Sequence, residues 1–430
     1  MSKRRVSFSA VASSLMLLGM PLANALNPGD LMGSHTENLG GIDSYNAVIV
    51  KDGKIIVAGT SDVNGSLDTV VAKYEVVVGG LAFDPTFNAG APIIHDYQLG
   101  PMQESNGTWV DVDGIDTDND GVDDDYEIYA GGTIMTAAAF GGALKFSSDG
   151  VLDTGYANSG EGIVCADSIS PSGFVNDSGE VFMAGTTIQI PMFETSFSTG
   201  KLLDTGFADL GFASQGCEVE WAVVGTESAV KTIDYDGKVL TAGITSVTNE
   251  DVHLIRYLST GGYDTTFGTG GKVTTSSITI GGIGYHPYTR DVAVMKFGVL
   301  RRIVVVGLGL PPGGGTQELF ITRYFGNGNL NTAFGTGGVV NTNLGLAGMI
   351  PEAVAIDRNF KIVVAGSSIN GMWVARFDAM GNPDLTFGVG GLVTVAGFER
   401  VSDMVITENG LNILVVGKGG GDGFIKMFKG

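Results

Sequence analysis

An all-β fold, a seven-bladed β-propeller with four strands to a blade, is predicted by three features of the sequence. A motif Asp-x-x-Phe-Gly-x-Gly-Gly recurs, a short apolar strand ending in Gly recurs beside it, and the two ends of the chain carry complementary deficits. The motif stands as Asp264 to Gly271, as Asn331 to Gly338 with Asn in the first place, and as Asp384 to Gly391. Weaker copies begin at Asp84, Asp153 and Asp204, and a degenerate one lies between Asn27 and Gly41. Self-similarity at a period of roughly fifty to seventy residues marks a repeat architecture.

Within each unit the hydrophobic pattern is that of strands. In the first unit Asn46 to Val50 precedes the turn Lys51-Asp52-Gly53-Lys54, and Ile55 to Gly59 follows it. An Asp-Gly step between two apolar runs is a hairpin signal. Val70 to Tyr74 then makes a third strand, and the Asp84 motif leads into a fourth at Pro92 to Ile94. The second strand recurs as Ile128 to Gly131, Val181 to Gly185, Val239 to Gly243, Ile303 to Gly307, Ile362 to Gly366 and Ile413 to Gly417, seven in all with the first. The last unit stops after a third strand, Phe424 to Phe428, whereas the N-terminal segment supplies only the motif that precedes a fourth. A ring closed by the N-terminal strand completing the last blade removes both deficits and leaves only short protected edges.

These repeats resemble the delta-60 repeat family of bacterial β-propeller proteins, whose signature is Asp-x-x-Phe-Gly-x-x-Gly. The match is strong in the units ending at Gly271, Gly338 and Gly391, and weaker in the first three, where Asn88, Ala157 and Ala208 follow the aromatic residue. The resemblance implies a propeller and carries no common catalytic machinery with it. The repeated residues have structural reasons of their own. The Phe or Tyr can plug between adjacent sheets, and the glycines permit turns with positive φ. The third strand carries Lys73, Lys145, Arg256, Arg323, Arg376 and Lys426 at corresponding places, with Ser196 as the exception. Each cation is expected to pair with the motif Asp of its own blade.

The N-terminus predicts export. Lys3, Arg4 and Arg5 form a basic start, Val6 to Leu22 is uncharged, and Ala23-Asn24-Ala25 offers a small-x-small cleavage site. This pattern predicts a signal peptide over 1–25, a single propeller domain over 26–430, and a secreted or periplasmic product. The apolar run is too short and too rich in serine to anchor the mature chain in a bilayer. Gly makes up 68 of the 430 residues and charged residues only 16%, which suits turns and strands. Because the leader holds three cations and no acid, its loss takes the formal charge from −22 to −25. An acidic protein of this kind repels phosphate backbones, so nucleic acid is excluded as a partner.

The sharpest chemical motif interrupts the second unit at 111–127. Asp116, Asp118, Asp120, Gly121 and Glu127 fit the calcium-loop pattern D-x-[DN]-x-[DN]-G-x5-E. Alternate carboxylates converge on a hard cation when such a loop curls, the Val122 carbonyl can ligate, Asp124 can act through water, and Glu127 can close the site with two oxygens. The flanking residues, Thr108 to Val112 and Ile128 to Ala130, read as strands. The loop is therefore expected to hold a structural calcium with a dissociation constant on the order of 10⁻⁴ to 10⁻³ M, as extracellular modules do. Asp111 and Asp113 are candidates for a second ion.

Cys165 and Cys217 are the only cysteines, in a compartment that permits disulfides. They follow Asp153 and Asp204 by 12 and 13 residues, nearly equivalent places in successive blades. Equivalent outer positions can exceed the ~7 Å Cα limit, so spacing alone leaves the bridge open.

No G-x-S-x-G elbow, H-E-x-x-H pair or phosphate-binding loop occurs, and there are only four His. One segment combines ligand-binding side chains: Tyr285, His286, Tyr288 and Arg290, expected in a long connection between blades. The preceding connection, 216–228, adds Glu218, Glu220 and Trp221 on the same face. The leading expectation is a non-catalytic binding scaffold for surface polysaccharide or another exported protein. The alternative is a polysaccharide-active, lyase-like enzyme in which Tyr285 or His286 takes a proton beside Arg290.

Overall fold

The computed structural model describes residues 27–430 apart from 42, 64, 79, 98–103, 119–121, 137, 158, 167, 190–193, 214–215, 221–225, 247–249, 277, 281–282 and 312–314. Seven antiparallel sheets follow one another along the chain. Their first, channel-lining strands are Asp43–Lys51, Glu104–Ile115, Ser168–Val175, Thr226–Asp234, Ile283–Phe297, Ile350–Ile356 and Glu399–Ile406, which define blades 1 to 7. Each continues outward through a second and a third strand to an outer one. Among the described residues the helical content is a single 3-10 turn at Asn88–Gly90, and no helix is long and apolar enough to cross a membrane.

The ring closes as the end deficits require. Leu31–Glu37 runs antiparallel to Asp422–Lys429, pairing Ser34 with Lys426 and Thr36 with Phe424, and supplies the outer strand of blade 7. Two further bonds fix the seam, Gly29 N to Lys429 O at 2.7 Å and Lys429 N to Asp30 O at 2.9 Å.

The Gly that ends each second strand has a steric cause. Every first strand carries a bulge at one place, between Tyr45 and Ala47 in blade 1 and between Thr289 and Asp291 in blade 5. The bulge pushes a carbonyl against the second strand. A Cβ at Gly59 would lie 1.9 Å from the Ser44 oxygen, and one at Gly307 would lie 2.0 Å from the Tyr288 oxygen. Only glycine fits beneath such a bulge. In blade 2 the corresponding residue is Gly132, one beyond the expected Gly131, 1.8 Å from the Asn106 oxygen.

The motif aromatic plugs the interface with the following blade. Phe267, Phe334 and Phe387 are all fully buried, Phe334 among Ile362, Val364 and Trp373 of blade 6. Where the motif begins with Asp the third-strand cation pairs with it, Arg256 Nε to Asp264 at 2.8 Å and Arg376 Nε to Asp384 at 2.7 Å, whereas Arg323 of blade 5, against expectation, faces the neutral Asn331. Two registers differ from expectation. In blade 3 the motif is Asp209 to Phe212, because Lys201 lies opposite Phe182 and reaches Asp209 at 2.9 Å; Phe207, from the Asp204 copy, is half exposed. Lys201, not Ser196, therefore holds the cation position. In blade 7 that position belongs to Met427, which lies opposite Leu414, and Lys426 turns to Glu399 at 2.8 Å.

Two blades carry extra strands. Gly80–Phe83 doubles back on Asp68–Val77 in blade 1. In blade 5, Ile278–Ile280 pairs with the start of the fifteen-residue strand Ile283–Phe297. The stretch from Tyr285 to Arg290 is thus the upper part of a channel-lining strand, and not an irregular connection.

Candidate functional site

The acidic loop spans the hairpin between Glu104–Ile115 and Asp125–Met135 in blade 2. It springs from the same face of the ring as the other hairpins between first and second strands. Asp116, Asp118 and Asp124 each offer one carboxylate oxygen within 4.8 Å of the others. The Thr117 hydroxyl donates to Asp124 and so does Thr117 N, at 2.9 Å, and the first of these bonds and then the second hold the Asp124 pKa below the usual carboxylate range. Lys51 in the neighbouring blade clasps Asp123 at 2.8 Å. Three hard oxygens gathered at this spacing suit calcium and exclude a soft-metal preference. Asp120 and Gly121 lie outside the described residues, and the Val122 side chain is exposed.

Glu127 does not join this cluster. It lies opposite Asp113 on the second strand, where Lys145 Nζ reaches it at 2.9 Å and the Tyr129 hydroxyl donates to it at 3.1 Å. Glu180 of blade 3 holds the same place and takes Lys201 at 2.7 Å. The twelfth position of the calcium pattern has been claimed by the repeat. Asp113, near Glu127, is pushed up to about 6 by burial and then by that neighbouring charge. Asp111 faces away from the loop and accepts from Val175 N at 3.0 Å.

On the opposite face, the blade 5 strand divides its candidate residues by alternation. Arg290 stacks over Tyr288, 5.1 Å to the ring centroid, and its Nη1 lies 3.7 Å from Glu352 of blade 6. His286 shares their side of the strand by its two-residue spacing. Tyr285 falls on the other side and neighbours Glu318 and Asn341 of its own blade, its pKa raised by desolvation and then by Glu318. Glu220 is taken up by Lys272 and stands 3.6 Å from His253 in the outer layer between blades 3 and 4. Tyr285, Arg290 and Glu220 therefore share no common point. Trp221 lies outside the described residues.

The central channel holds residues that sequence reasoning missed. A 280 Å³ cavity is lined by the first strands and contains Lys231, Asp291 and Asp403 beside the second-ion candidate Asp111. Lys231 Nζ stands 3.9 Å from Asp291 and 3.7 Å from Asp403, with 32% of its side chain exposed to the channel space. The Asp403 charge raises its pKa against the opposing effect of burial. Asp291 accepts from Val354 N at 2.8 Å, Asp403 from Val48 N at 3.0 Å, and Ser172 from Thr232 N at 3.1 Å. Each bond joins one blade to the next at the residue that follows the bulge. In sequence Lys231, Asp291 and Asp403 are single charges at the head of the Thr232-Ile233, Val292-Ala-Val294 and Met404-Val-Ile406 runs, and their common place becomes visible only when the bulges are aligned.

Cys165 and Cys217 form a disulfide with Cα atoms 5.5 Å apart. Their positions are not equivalent. Cys217 opens its outer strand at Cys217–Glu220, whereas Cys165 sits late in Glu161–Ala166, at a bulge where φ is 57°.

These features define a seven-bladed propeller with an acidic hairpin insertion and a charged channel. A model of a β-propeller domain of unknown function matches residues 51–87, 236–267 and 361–387. Each matched segment runs from the first hairpin to the motif phenylalanine, Phe87, Phe267 or Phe387, which supports a β-propeller repeat family. No curated protein matches the chain. Among solved structures it is similar to the propeller domain of the Trilobed protease from Pyrococcus furiosus, with 9% identity over 90% of this chain and 96% of that one, at a TM-score of 0.42. Sqt1 from Chaetomium thermophilum shows 13% identity over 94% of this chain and all of that one, at 0.44. The polysaccharide lyase Uly1 shows 11% identity over 90% of each chain, at 0.47. At these values the likenesses carry no argument about activity.

Proposed function

We propose that the protein is an exported, non-catalytic binding scaffold of the delta-60 repeat type, stabilised by calcium at Asp116, Asp118 and Asp124. The observation that carries this reading is the convergence of those three carboxylates on an insertion that the repeat itself does not require. A cation there would close the blade 2 hairpin loop, which Lys51 already clasps from blade 1 at Asp123. Surface polysaccharide or another exported protein is the expected partner. The lyase alternative loses Tyr285, which stands across the strand from Arg290, and would rest on His286, which shares the Arg290 side. A phenol whose pKa is raised is also a poor base at neutral pH.

Thermal unfolding of the mature protein in EDTA and in millimolar Ca²⁺ tests the proposal, beside a variant carrying Asp116→Ala and Asp118→Ala. Calcium at ten times its Kd should stabilise the wild type by about 1.4 kcal/mol. The variant should melt identically in both conditions. A wild type that ignores calcium would overturn the metal assignment.

A further inference from the structure

Blade 5 departs from the repeat at one charge. In blades 1, 4 and 6 the cation before the second strand reaches the motif aspartate, Lys54 to Asp84 at 3.1 Å, Lys238 to Asp264 at 2.5 Å and Lys361 to Asp384 at 2.7 Å. Blade 5 has Arg302 at this position and Arg323 at the third-strand position, but its motif begins with the neutral Asn331. Among the described residues neither guanidinium has an acidic partner. Arg323 is buried over Phe334 at 4.5 Å, donates to the Ala379 carbonyl, and has the Asn331 amide oxygen within 3.2 Å once that amide faces it. Burial and then the Arg302 charge lower its pKa.

Arg302 turns outward. It stacks over Phe325 at 4.6 Å, and Nη1 donates to the Arg301 carbonyl at 2.9 Å. There it lines a 500 Å³ groove between blades 4 and 5 with Tyr235, Phe325 and the hairpin residues Val299 and Leu300. Val299 is 96% exposed and Leu300 51%, an apolar lip beside an uncompensated cation. Arg301, the next cation, is already neutralised by Asp236 through bonds of 2.7 and 2.9 Å.

We propose that this groove binds an acidic peptide segment of a partner protein, one carboxylate pairing with Arg302 while apolar side chains of the segment cover Val299, Leu300 and Phe325. Charge complementarity selects the occupant. The chain as a whole carries −22, and beside this groove Asp234 takes Lys296 at 3.1 Å and Asp236 takes Arg301, which leaves the Arg302 guanidinium as the local excess charge. A polyphosphate would meet one free guanidinium and a field of its own sign, whereas a peptide satisfies the single charge and the apolar lip together. This deepens the scaffold reading and rests on it, but the groove is built by blades 4 and 5 and is independent of the blade 2 calcium loop.

The test is fluorescence anisotropy of the mature full-length chain with a fluorescein-labelled peptide alternating Glu with Leu and Phe, against the same peptide with Gln for Glu. The acidic peptide should bind in a salt-sensitive way and the Gln peptide should not. Asn331→Asp restores the carboxylate of the other blades and should recapture Arg302, weakening binding about tenfold, the equivalent of one charge-assisted hydrogen bond. Its melting temperature should hold or rise, which separates this effect from misfolding. Arg302→Gln, at a partly exposed position, should weaken binding to the same degree. Equal binding of both peptides, no binding by the wild type, or wild-type affinity in both variants would overturn the proposal. Self-association of the wild type abolished by Arg302→Gln would overturn it too, in favour of a second copy as occupant. Failure here would leave the calcium-dependent melting untouched, so the two readings fall separately.

Discussion

Lys145 holds Glu127 at 2.9 Å and Lys201 holds Glu180 at 2.7 Å, so two carboxylates occupy one repeat position in successive blades. Only one of them also completes a calcium pattern in sequence. Pairing with a partly buried lysine is sufficient reason for Glu127, and this separates its energetics from those of the loop. Glu127→Gln should destabilise the fold by about 1 kcal/mol, equally in EDTA and in calcium, because it weakens a charge-assisted bond. Asp118→Ala should do little in EDTA and should abolish the calcium-dependent gain; calorimetry with both variants distinguishes the roles. A calcium response lost in Glu127→Gln would return that residue to the metal site. The same limit on reading single residues appears at 204–212, where Asp204-Thr-Gly-Phe207 and Asp209-Leu-Gly-Phe212 both fit the motif. The choice falls to Asp209 because Lys201 reaches it and Phe212 is buried. That pairing is long-range information that a local pattern does not carry.

At the scale of elements, hydrophobic period and turn chemistry placed the strands well, since a buried Val or Ile run before Gly has few other uses. The bulge beneath each such Gly explains why the residue is fixed, yet it displaces the first strand by one residue and hides the channel positions. The strand Ile283–Phe297 was harder to read, because Gly284, Pro287 and polar side chains interrupt the apolar pattern where the strand rises above the ring. Spacing leaves the disulfide open for a related reason: Cys165 and Cys217 read as equivalent, whereas a bulge and a four-residue offset bring them together. The bridge spans 52 residues. Replacing both cysteines with Ser should lower stability by about 2 to 4 kcal/mol, the upper figure being that of the chain-entropy model for this separation. Reductant should destabilise the wild type by the same amount and leave the double variant unchanged, as denaturant melts would show. Equal stability with and without reductant would mean that the blade 2 to blade 3 contact holds without it.

At the scale of the whole molecule, ring closure places two populations of carboxylate in opposite environments. Motif aspartates at the blade interfaces are satisfied: although burial opposes it, hydrogen bonds from Thr86 and Lys54 hold Asp84 at about 2, and similar partners hold Asp264 and Asp384 well below the ordinary range. Two channel aspartates also accept backbone hydrogen bonds, but burial outweighs them and pushes Asp111 and Asp291 up to about 6, even though Lys231 draws Asp291 down. A carboxyl whose folded pKa lies below its unfolded value of about 4 contributes stability that is present above that value and lost as pH falls through the folded one. A carboxyl whose folded pKa is raised opposes folding when ionised, so the channel should gain stability as pH falls from about 7 toward 4. The two populations together place maximal stability near pH 4 to 5, between the ranges in which each titrates. Asp291→Asn keeps an acceptor for Val354 N and removes the buried charge. It should raise stability at pH 7 by about 1 to 3 kcal/mol and flatten the slope between pH 5 and 7. Lys231→Met should do the reverse, destabilising by about 2 kcal/mol at pH 7, below the roughly 3 to 5 of a fully buried pair because a third of the side chain faces the channel, and by less at pH 4.5. Melting temperatures across this range decide the matter: a wild type that weakens steadily from pH 7 to 5 would mean that Lys231 and channel solvent compensate the ionised aspartates in full, and that the ring is held by them rather than in spite of them.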